Sequence, residues 1–407
     1  MASSSEMGGP GLSEPGLRRL RDTMSAQLQA TGVPGLVLGL SRGRDVYLEA
    51  LGSAIPGGAP IQPDALFRIT SMTRPVTAVA TLLLVQQGLL ALDEPVDRLL
   101  PELAARRVLR RPEGPVDDTV PARRPITVGD LLSFRAGFGM ILAPPSDYPI
   151  LEAEQALELR SVGPPVPITP HGPDEWMRRM GRLPLMDQPG TRWRYNTGSQ
   201  ILGVLIARAS GQTAGSFYQQ RIFQPLGMAG TGFLVPEAER HRLVPIYEWV
   251  DGRLEPFDDG GAWTHARAFT DCGAGLVSTV GDYLTFARML LSGGSHQGRL
   301  FLDPQLLSAM TTDQLTAEQR QTAGPILDGR GWGFGVSIID EKAAGAGSKG
   351  YGWRGGFGTL WVNDPDRNLA AVLCAQVLGS RSERPGAPGE SELEAPFWAA
   401  VDGALRD

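Results

Sequence analysis

The fold is decided by one stretch of the sequence, Phe67-Arg68-Ile69-Thr70-Ser71-Met72-Thr73-Arg74-Pro75. Ser71 stands just before a long apolar run with a helical pattern, and Arg74 follows one turn later on the same helix face. The start of a helix offers unpaired backbone N–H groups and a positive dipole end, which suits a serine nucleophile in acyl transfer. The cation in such a site normally has to accept a proton, and arginine does not readily do so. The stretch therefore predicts nucleophilic acyl transfer by Ser71, but it has an arginine where such a site needs a cation that can accept a proton.

The length, composition and charge of the chain are those of an ordinary globular protein. Its 407 residues suffice for one large domain or two interleaved domains, and 42% are hydrophobic while 20% are charged. The formal net charge of -6 favours neither nucleic acid nor an anionic membrane surface as a partner. Threonines and glutamines interrupt the longest apolar helical stretch, residues 76–92, so we expect a buried helix there rather than a membrane span.

The first residues and the cysteines together predict a cytoplasmic protein. Residues 1–17 contain no apolar core of signal-peptide length. The two cysteines, Cys272 and Cys374, lie far apart in the sequence and do not make a disulfide scaffold. The sequence also has no cluster of metal ligands at a recognisable spacing, and we expect neither a metal ion nor a cofactor.

Strand patterns occur near both ends of the chain, and helical patterns dominate its middle. Strands are predicted at residues 35–41, 45–50, 331–338, 359–362 and 369–374. Helices are predicted at residues 17–30, 127–133, 198–210, 279–291 and 394–405, and a long surface loop at 99–125. This order favours an α/β fold with one sheet built from both ends of the chain.

Four separated segments carry a resemblance to a known family. They are Ser71-Met72-Thr73-Arg74, Ser133-Phe134-Arg135-Ala136-Gly137, Pro189-Gly190-Thr191-Arg192-Trp193-Arg194-Tyr195-Asn196-Thr197 and Trp353-Arg354-Gly355-Gly356. In this order they resemble the penicillin-recognising serine enzymes, namely class C β-lactamases, D,D-peptidases, and the esterases and transacylases that share their fold. The resemblance extends over nearly the whole chain beyond about residue 20.

The resemblance implies a β-lactamase/D,D-peptidase-like fold, with an antiparallel sheet flanked by helices and a second, mostly helical domain. We expect residues 1–120 and 280–407 to form the sheet domain, and residues 121–279 to form the helical domain inserted into it. The pocket walls are then expected from the loops at residues 140–170 and 245–269, which carry no readable specificity code.

The resemblance also implies roles for four residues. Ser71 would be the nucleophile, with its own N–H as one donor to the oxyanion. Gly356 would supply the second donor, or Gly355 if the register slips by one. Tyr195 would be the acid/base, although a phenol is a poor base at neutral pH unless a nearby cation favours its ionised form. Arg74, in the position of the family's lysine, could supply that cation.

Other positions depart from the family pattern and are candidates for substrate binding. Thr197 occupies the place of the usual asparagine, because Asn196 comes one position early. Trp353 replaces the lysine of Lys-Thr-Gly, so a cation that binds a substrate carboxylate is missing. It is either a packing residue or a wall of the pocket. Arg354 is a further candidate, which could restore carboxylate binding or block the pocket. Phe134 is another, and it lies in the segment 133–137, where the family has a Thr-His-Thr-Ser-Gly turn.

Two functions follow from these residues. The first is a serine hydrolase or acyltransferase, an esterase or transacylase that acts on a small acyl substrate through a Ser71 acyl-enzyme. The alternative is a non-hydrolytic member of the fold, a biosynthetic enzyme for cyclisation or isomerisation or a binding protein, because Arg74 replaces the catalytic lysine. A physiological β-lactamase ranks below both. The partner is a small molecule in either case, and the sequence leaves its identity and the oligomeric state open.

Overall fold

The computed structural model of the protein describes residues 11–159, 169–251, 253–339, 350–378 and 390–405. Its α-helices are α1 Glu14–Thr31, α2 Thr73–Gln86, α3 Val128–Leu132, α4 Pro149–Ala156, α5 Pro173–Met180, α6 Thr197–Ser210, α7 Ala214–Tyr218, α8 Gln224–Leu226, α9 Val280–Leu291, α10 Pro304–Met310, α11 Ala317–Thr322 and α12 Glu390–Asp402. None of the helices in these residues combines the length and the apolar character needed to cross a membrane.

The strands of the described residues are mostly short. They are β1 Gly35–Arg42, β2 Asp45–Gly52, β3 Phe67–Arg68, β4 Arg107–Leu109, β5 Thr119–Pro121, β6 Ile246–Val250, β7 Arg253–Asp258, β8 Val277–Ser278, β9 Ser295–His296, β10 Arg299–Leu300, β11 Gly331–Trp332, β12 Ser337–Ile339, β13 Gly350–Gly355, β14 Thr359–Asp364 and β15 Leu369–Ala375. The paired strands β4 and β5 lie in the stretch that the sequence predicts to be a loop.

A seven-stranded antiparallel sheet holds the two ends of the chain together. The strand order is β11-β12-β13-β14-β15-β1-β2, so the first hairpin pairs with the last strand of the chain. In the register, Leu38 lies opposite Leu373 on one side and Glu49 on the other. The predicted antiparallel sheet with flanking helices is confirmed. The domain boundaries at residues 120 and 280 stay a prediction.

Strand β1 is buried because helices cover both faces of the sheet. Leu36, Leu38 and Leu40 point to one face and pack in a cluster with residues of α1 and α12. Gly39 points to the other face, where an added Cβ would lie 2.8 Å from Val280 Cγ1 of α9. Neighbouring residues of a strand face opposite sides, so covering both sides turns the strand into a continuous apolar run. This explains why β1 lacks the alternation of a half-exposed strand.

Helix α2 lies in the interior and carries the decisive stretch at its start. All of its residues from Thr73 to Leu84 are buried. The hydroxyls of Thr77 and Thr81 donate to carbonyls one turn earlier, over 3.2 Å and 2.9 Å, so these polar groups are satisfied without water. Thr77 Oγ1 also donates to the Cys272 carbonyl over 2.6 Å. The helix therefore tolerates its threonines in the core.

One predicted strand is interrupted by a tertiary contact. The stretch 331–338 alternates in sequence, but only β11 and β12 are strands, and the residues between them form a turn. Gly335 has φ +70°, and a Cβ there would lie 2.8 Å from the Arg74 carbonyl oxygen. The turn therefore lets the backbone approach α2 at a point where only glycine fits.

We expect Gly16→Ala to lower the midpoint of thermal unfolding. In most helices this change stabilises by about 0.5–1 kcal/mol. Here the new Cβ would lie 2.2 Å from the Gly403 carbonyl oxygen, just beyond α12, and such overpacking costs about 1–3 kcal/mol.

Gly281→Ala is the matched control, since Gly281 also lies in the first turn of a helix. Its added Cβ would meet nothing nearer than 3.7 Å. Calorimetry of the parent and both variants tests the contact. A midpoint of thermal unfolding for Gly16→Ala that equals or exceeds that of the parent would contradict it.

Candidate active site

Ser71 lies in a single 3₁₀ turn, Thr70–Met72, that leads into α2. Its neighbours Thr70 and Met72 are buried, whereas Ser71 is half-buried. Within the described residues, Ser71 Oγ has no hydrogen-bond partner and the Ser71 N–H donates to no acceptor. Thr70 has φ +41°, a conformation that costs a β-branched residue about 1–3 kcal/mol. The strained residue thus precedes the predicted nucleophile directly.

The turn that contains Gly356 lies against the same segment. Gly355 ends β13 and Thr359 begins β14, so the turn consists of residues 356–358. A Cβ on Gly355 would lie 2.3 Å from the Ile69 carbonyl oxygen, and Thr359 Oγ1 donates to that oxygen over 3.3 Å. In the part of the chain that the structure describes, the Gly356 N–H donates to no other group. Two unpaired N–H groups therefore lie on adjoining segments.

Arg74 is almost fully enclosed, with 2% of its surface exposed. One terminal nitrogen, Nη1, donates to the Gly273 carbonyl over 2.5 Å, and the other, Nη2, donates to Asn196 Oδ1. Its Cζ lies 4.3 Å from the centroid of the Tyr195 ring, which is the geometry of a cation–π contact. Burial lowers the pKa of the Arg74 guanidinium, and the nearby Tyr195 and Asp271 oppose this shift. Arg74 is thus a cation turned to Tyr195 and not hydrogen-bonded to Ser71.

Tyr195 belongs to a cluster of five aromatic rings, which we call the aromatic cluster. Its members are Phe134, Trp193, Tyr195, Trp332 and Trp353. The Tyr195 ring centroid lies 5.6–6.4 Å from those of the other four, and Trp332 and Trp353 meet edge to face at 4.7 Å. Trp353 Nε1 donates to the Tyr195 hydroxyl oxygen over 2.9 Å. The cluster therefore holds both the ring and the oxygen of Tyr195.

Asn196 reaches Arg74 through an unusual backbone conformation. Its φ of +91° and ψ of -73° fall in the region of a γ-turn that is rare and strained for any residue with a side chain. The next residue, Thr197, begins α6 and is half-buried. Both residues line a small cavity, together with Met140 and Gln200. The structure therefore places Thr197 beside the site rather than against Arg74.

The structure does not bring Arg354 into this site. Trp353 and Arg354 are neighbours on β13, so their side chains point to opposite faces of the sheet. Arg354 Nη2 instead pairs with Glu394 Oε1 of α12 over 2.8 Å. The period of two along the strand is the sequence signal that separates the two residues.

Phe134 and Trp332 support the site from within. Phe134 is 1% exposed, adopts φ +58°, and accepts a backbone hydrogen bond from Arg194 N over 2.8 Å. It therefore packs behind Tyr195 and does not line the open cleft. Trp332 has 0% exposure and is missed by motif reasoning, because its segment matches no motif of the family. Asp271, which holds the Gly273 N–H over 2.7 Å, is missed for the same reason.

An open cleft reaches Tyr195 from outside. Its walls combine apolar or aromatic side chains with polar ones, and they include Met140, Ile141, Leu142, Tyr148, Trp193, Ala323, Pro325 and Ile326 beside Glu113 and Thr322. Arg192 and Arg194 also line the cleft, and Arg194 forms an ion pair with Asp187. The first of the two predicted wall loops contributes Met140, Ile141, Leu142 and Tyr148, whereas its residues 160–168 lie outside the described part. No group of three or more His, Cys, Asp or Glu side chains in the described residues could hold a metal ion.

Comparison with known proteins gives one consistent result. Residues 20–393 match the Beta-lactamase family. The chain is 36% identical over 334 residues to Protein Rv1367c of Mycobacterium tuberculosis, covering 79% of this chain and 80% of that protein. It is 31% identical over 380 residues to Esterase EstB of Burkholderia gladioli, covering 87% and 89%. Among solved structures, it is similar to EstCE1, a hydrolase with promiscuous acyltransferase activity, with a TM-score of 0.78, 22% identity and coverage of 95% and 98%.

We expect Asn196→Gly to be more stable than Asn196→Ala by about 1–2 kcal/mol in free energy of unfolding. Both variants lose the amide that accepts from Arg74, but only alanine keeps a Cβ at a φ of +91°. Denaturant titration of the two variants measures the difference directly. Equal stability would show that this backbone conformation is unstrained.

Proposed function

Because the chain belongs to the Beta-lactamase family, we propose that this serine hydrolase or acyltransferase works through a covalent ester on Ser71. One observation carries the proposal: the free hydroxyl and free N–H of Ser71 adjoin a turn that offers the second free N–H, that of Gly356. Two such donors stabilise the negative oxygen of a tetrahedral intermediate, and losing one typically raises the barrier by about 3–4 kcal/mol.

In the proposed reaction Tyr195 moves the proton. Ionised Tyr195 takes the proton of the Ser71 hydroxyl while Ser71 Oγ forms a bond to the acyl carbon of the substrate. The bond to the leaving oxygen then breaks, and that oxygen receives the proton from Tyr195. Water or an acceptor alcohol enters by the same steps in reverse, giving hydrolysis or acyl transfer. No step needs a metal ion or a cofactor.

Arg74 supports this reaction as a fixed charge rather than as a base. Its guanidinium faces the Tyr195 ring at 4.3 Å, and the Trp353 N–H reaches the Tyr195 oxygen at 2.9 Å. Both contacts stabilise negative charge on that oxygen more than on a neutral phenol. The guanidinium keeps its proton, because arginine is not deprotonated in proteins. The proton of Ser71 therefore goes to Tyr195.

Two residues of β13 favour an acyl substrate that is not recognised through a carboxylate. Trp353 stands where the family's lysine would bind a carboxylate, and Arg354 is held by Glu394 on the other face of the sheet. The cleft that reaches Tyr195 mixes apolar and aromatic side chains with Glu113, Arg192 and Arg194. A small neutral ester suits this side of the site better than a β-lactam that is bound through a carboxylate. We place this activity in the cytoplasm as part of the same proposal.

The non-hydrolytic alternative is not favoured. It was motivated by Arg74, which in principle could tie up Ser71. The guanidinium hydrogen-bonds instead to Asn196 and to the Gly273 carbonyl, so the Ser71 hydroxyl stays free. The aromatic cluster encloses Tyr195 but leaves it open to the cleft.

We expect Ser71→Ala to lower kcat for p-nitrophenyl butyrate by at least about a thousandfold, because the nucleophile is removed. Intact-mass spectrometry should find a covalent adduct of diethyl p-nitrophenyl phosphate on the parent and none on the variant. Ser308→Ala, which changes an exposed serine of α10, is the control and should behave like the parent. Full turnover by a folded Ser71→Ala would refute the Ser71 mechanism.

Arg74→Met and Arg74→Lys test the proposed role of the cation. Methionine removes the charge beside Tyr195, so kcat should fall by about a hundredfold. Lysine keeps a charge at this position, so kcat should stay within about tenfold of the parent or rise. The pH profile of kcat/KM for all three proteins is the measurement. Parent-like activity of Arg74→Met at neutral pH would exclude an electrostatic role.

A further inference from the structure

A second arginine, Arg68, lies fully buried close to the site. It belongs to β3, three residues before Ser71, and its exposure is 0%. Its Nη1 pairs with Asp258 Oδ2 over 2.5 Å, and its Nη2 donates to the Val244 carbonyl over 2.6 Å. Burial lowers the pKa of the Arg68 guanidinium, whereas the Asp258 carboxylate opposes this shift. Both acceptors belong to the segment 244–258, which contains the hairpin β6–β7.

The same guanidinium lies against the turn that carries Gly356. Its Cζ lies 5.6 Å from the ring centroid of Phe357 and 5.7 Å from that of Trp263. Phe357 is the middle residue of the turn 356–358 and is completely buried. The ring of Phe357 also meets Trp263 at 6.3 Å and Phe257 at 5.9 Å. Arg68 therefore contacts the turn from behind, while its own backbone leads to Ser71.

Each of the two proposed oxyanion donors lies on a segment that includes Arg68 or contacts it. The Ser71 N–H lies in the segment that follows Arg68, and the Gly356 N–H lies next to Phe357. A catalytic hydrogen bond is sensitive to errors of about 1 Å in the position of its donor. A buried ion pair such as Arg68–Asp258 is weak evidence for added stability, since apolar replacements are often as stable. The planar guanidinium of Arg68 can, however, fix three segments relative to one another, namely β3, the segment 244–258 and the turn 356–358.

We propose that Arg68 is the positioning residue of the oxyanion hole. It holds Phe357, and with it the Gly356 N–H, at the correct place relative to the Ser71 N–H. Through Asp258 it links that geometry to the hairpin β6–β7. This inference rests on the proposed Ser71 mechanism. Loss of the Arg68 side chain should weaken binding of the tetrahedral transition state and leave binding of the substrate unchanged.

The test compares Arg68→Met, Phe357→Leu and the double variant in steady-state turnover of p-nitrophenyl butyrate. Each single change should lower kcat by about 10–100-fold with KM within about threefold of the parent. The double variant should lose no more than either single variant, because both changes act through one contact. Affinity for a trifluoromethyl ketone, which mimics the tetrahedral intermediate, should fall by the same factor as kcat.

Arg106→Met is the matched control. Arg106 is a half-buried arginine that also donates to backbone carbonyls, those of Gly181 and Leu183, and its Cζ lies 6.0 Å from the centroid of the Phe138 ring. Its replacement should leave kcat within about threefold of the parent. An equal fall of kcat in Arg68→Met and Arg106→Met, or additive losses in the double variant, would overturn the proposal.

Two safeguards keep the outcomes separate. If Arg68→Met does not fold, Phe357→Leu and Asp258→Asn test the same contact from its other members, and parent-like kcat in both would overturn the proposal. Failure of the Ser71 mechanism itself would show differently, as the absence of a Ser71 adduct in the unmutated protein. A Ser71 adduct together with unchanged kcat in Arg68→Met would refute the positioning role alone.

Discussion

The contact between the Arg74 guanidinium and the Tyr195 ring is the interaction around which the site is built. A cation with 2% exposure is costly unless its N–H groups and its charge are matched. Asn196 and a backbone carbonyl accept its hydrogen bonds, and Asp271 lies near enough to favour its charge. These demands draw helix α2, the start of α6 and the loop at Asp271 together. The same contacts occupy both terminal nitrogens of the guanidinium, so Arg74 does not hydrogen-bond to Ser71.

Two residues with a strained backbone flank the proposed reaction centre. Thr70, at φ +41°, precedes Ser71, and Asn196, at φ +91°, follows Tyr195. Strain of this kind persists only where the surrounding structure over-determines the backbone. The end of β13 packs on Thr70 so closely that Gly355 has no room for a Cβ, and Arg74 holds the side chain of Asn196. The large sheet thus supplies the rigidity that the active segment needs.

Strand β13 directs Trp353 and Arg354 to opposite faces of the sheet. Trp353 faces the aromatic cluster and holds the phenol oxygen of Tyr195, whereas Arg354 faces α12 and pairs with Glu394. A lysine in the place of Trp353 would add a cation to the pocket, and the tryptophan adds an N–H donor and apolar area instead. The site therefore holds the groups proposed for acyl transfer, and it has a tryptophan N–H in the place of the family's lysine. Both effects follow from the alternation of side chains along one strand.

The sequence by itself determined the fold class, the family and the placement of Ser71 at the start of a buried helix. These features depend on local patterns: the apolar run of α2, the strands near both ends of the chain, and motifs in a set order. The tertiary structure alone decided what Arg74 touches, since its carbonyl partner lies 199 positions away. It also decided that the strand at Gly335 breaks, because a Cβ there would lie 2.8 Å from the Arg74 carbonyl oxygen. The direction of a side chain depends on backbone dihedrals and on packing between remote segments, and neither is encoded in spacing along the chain.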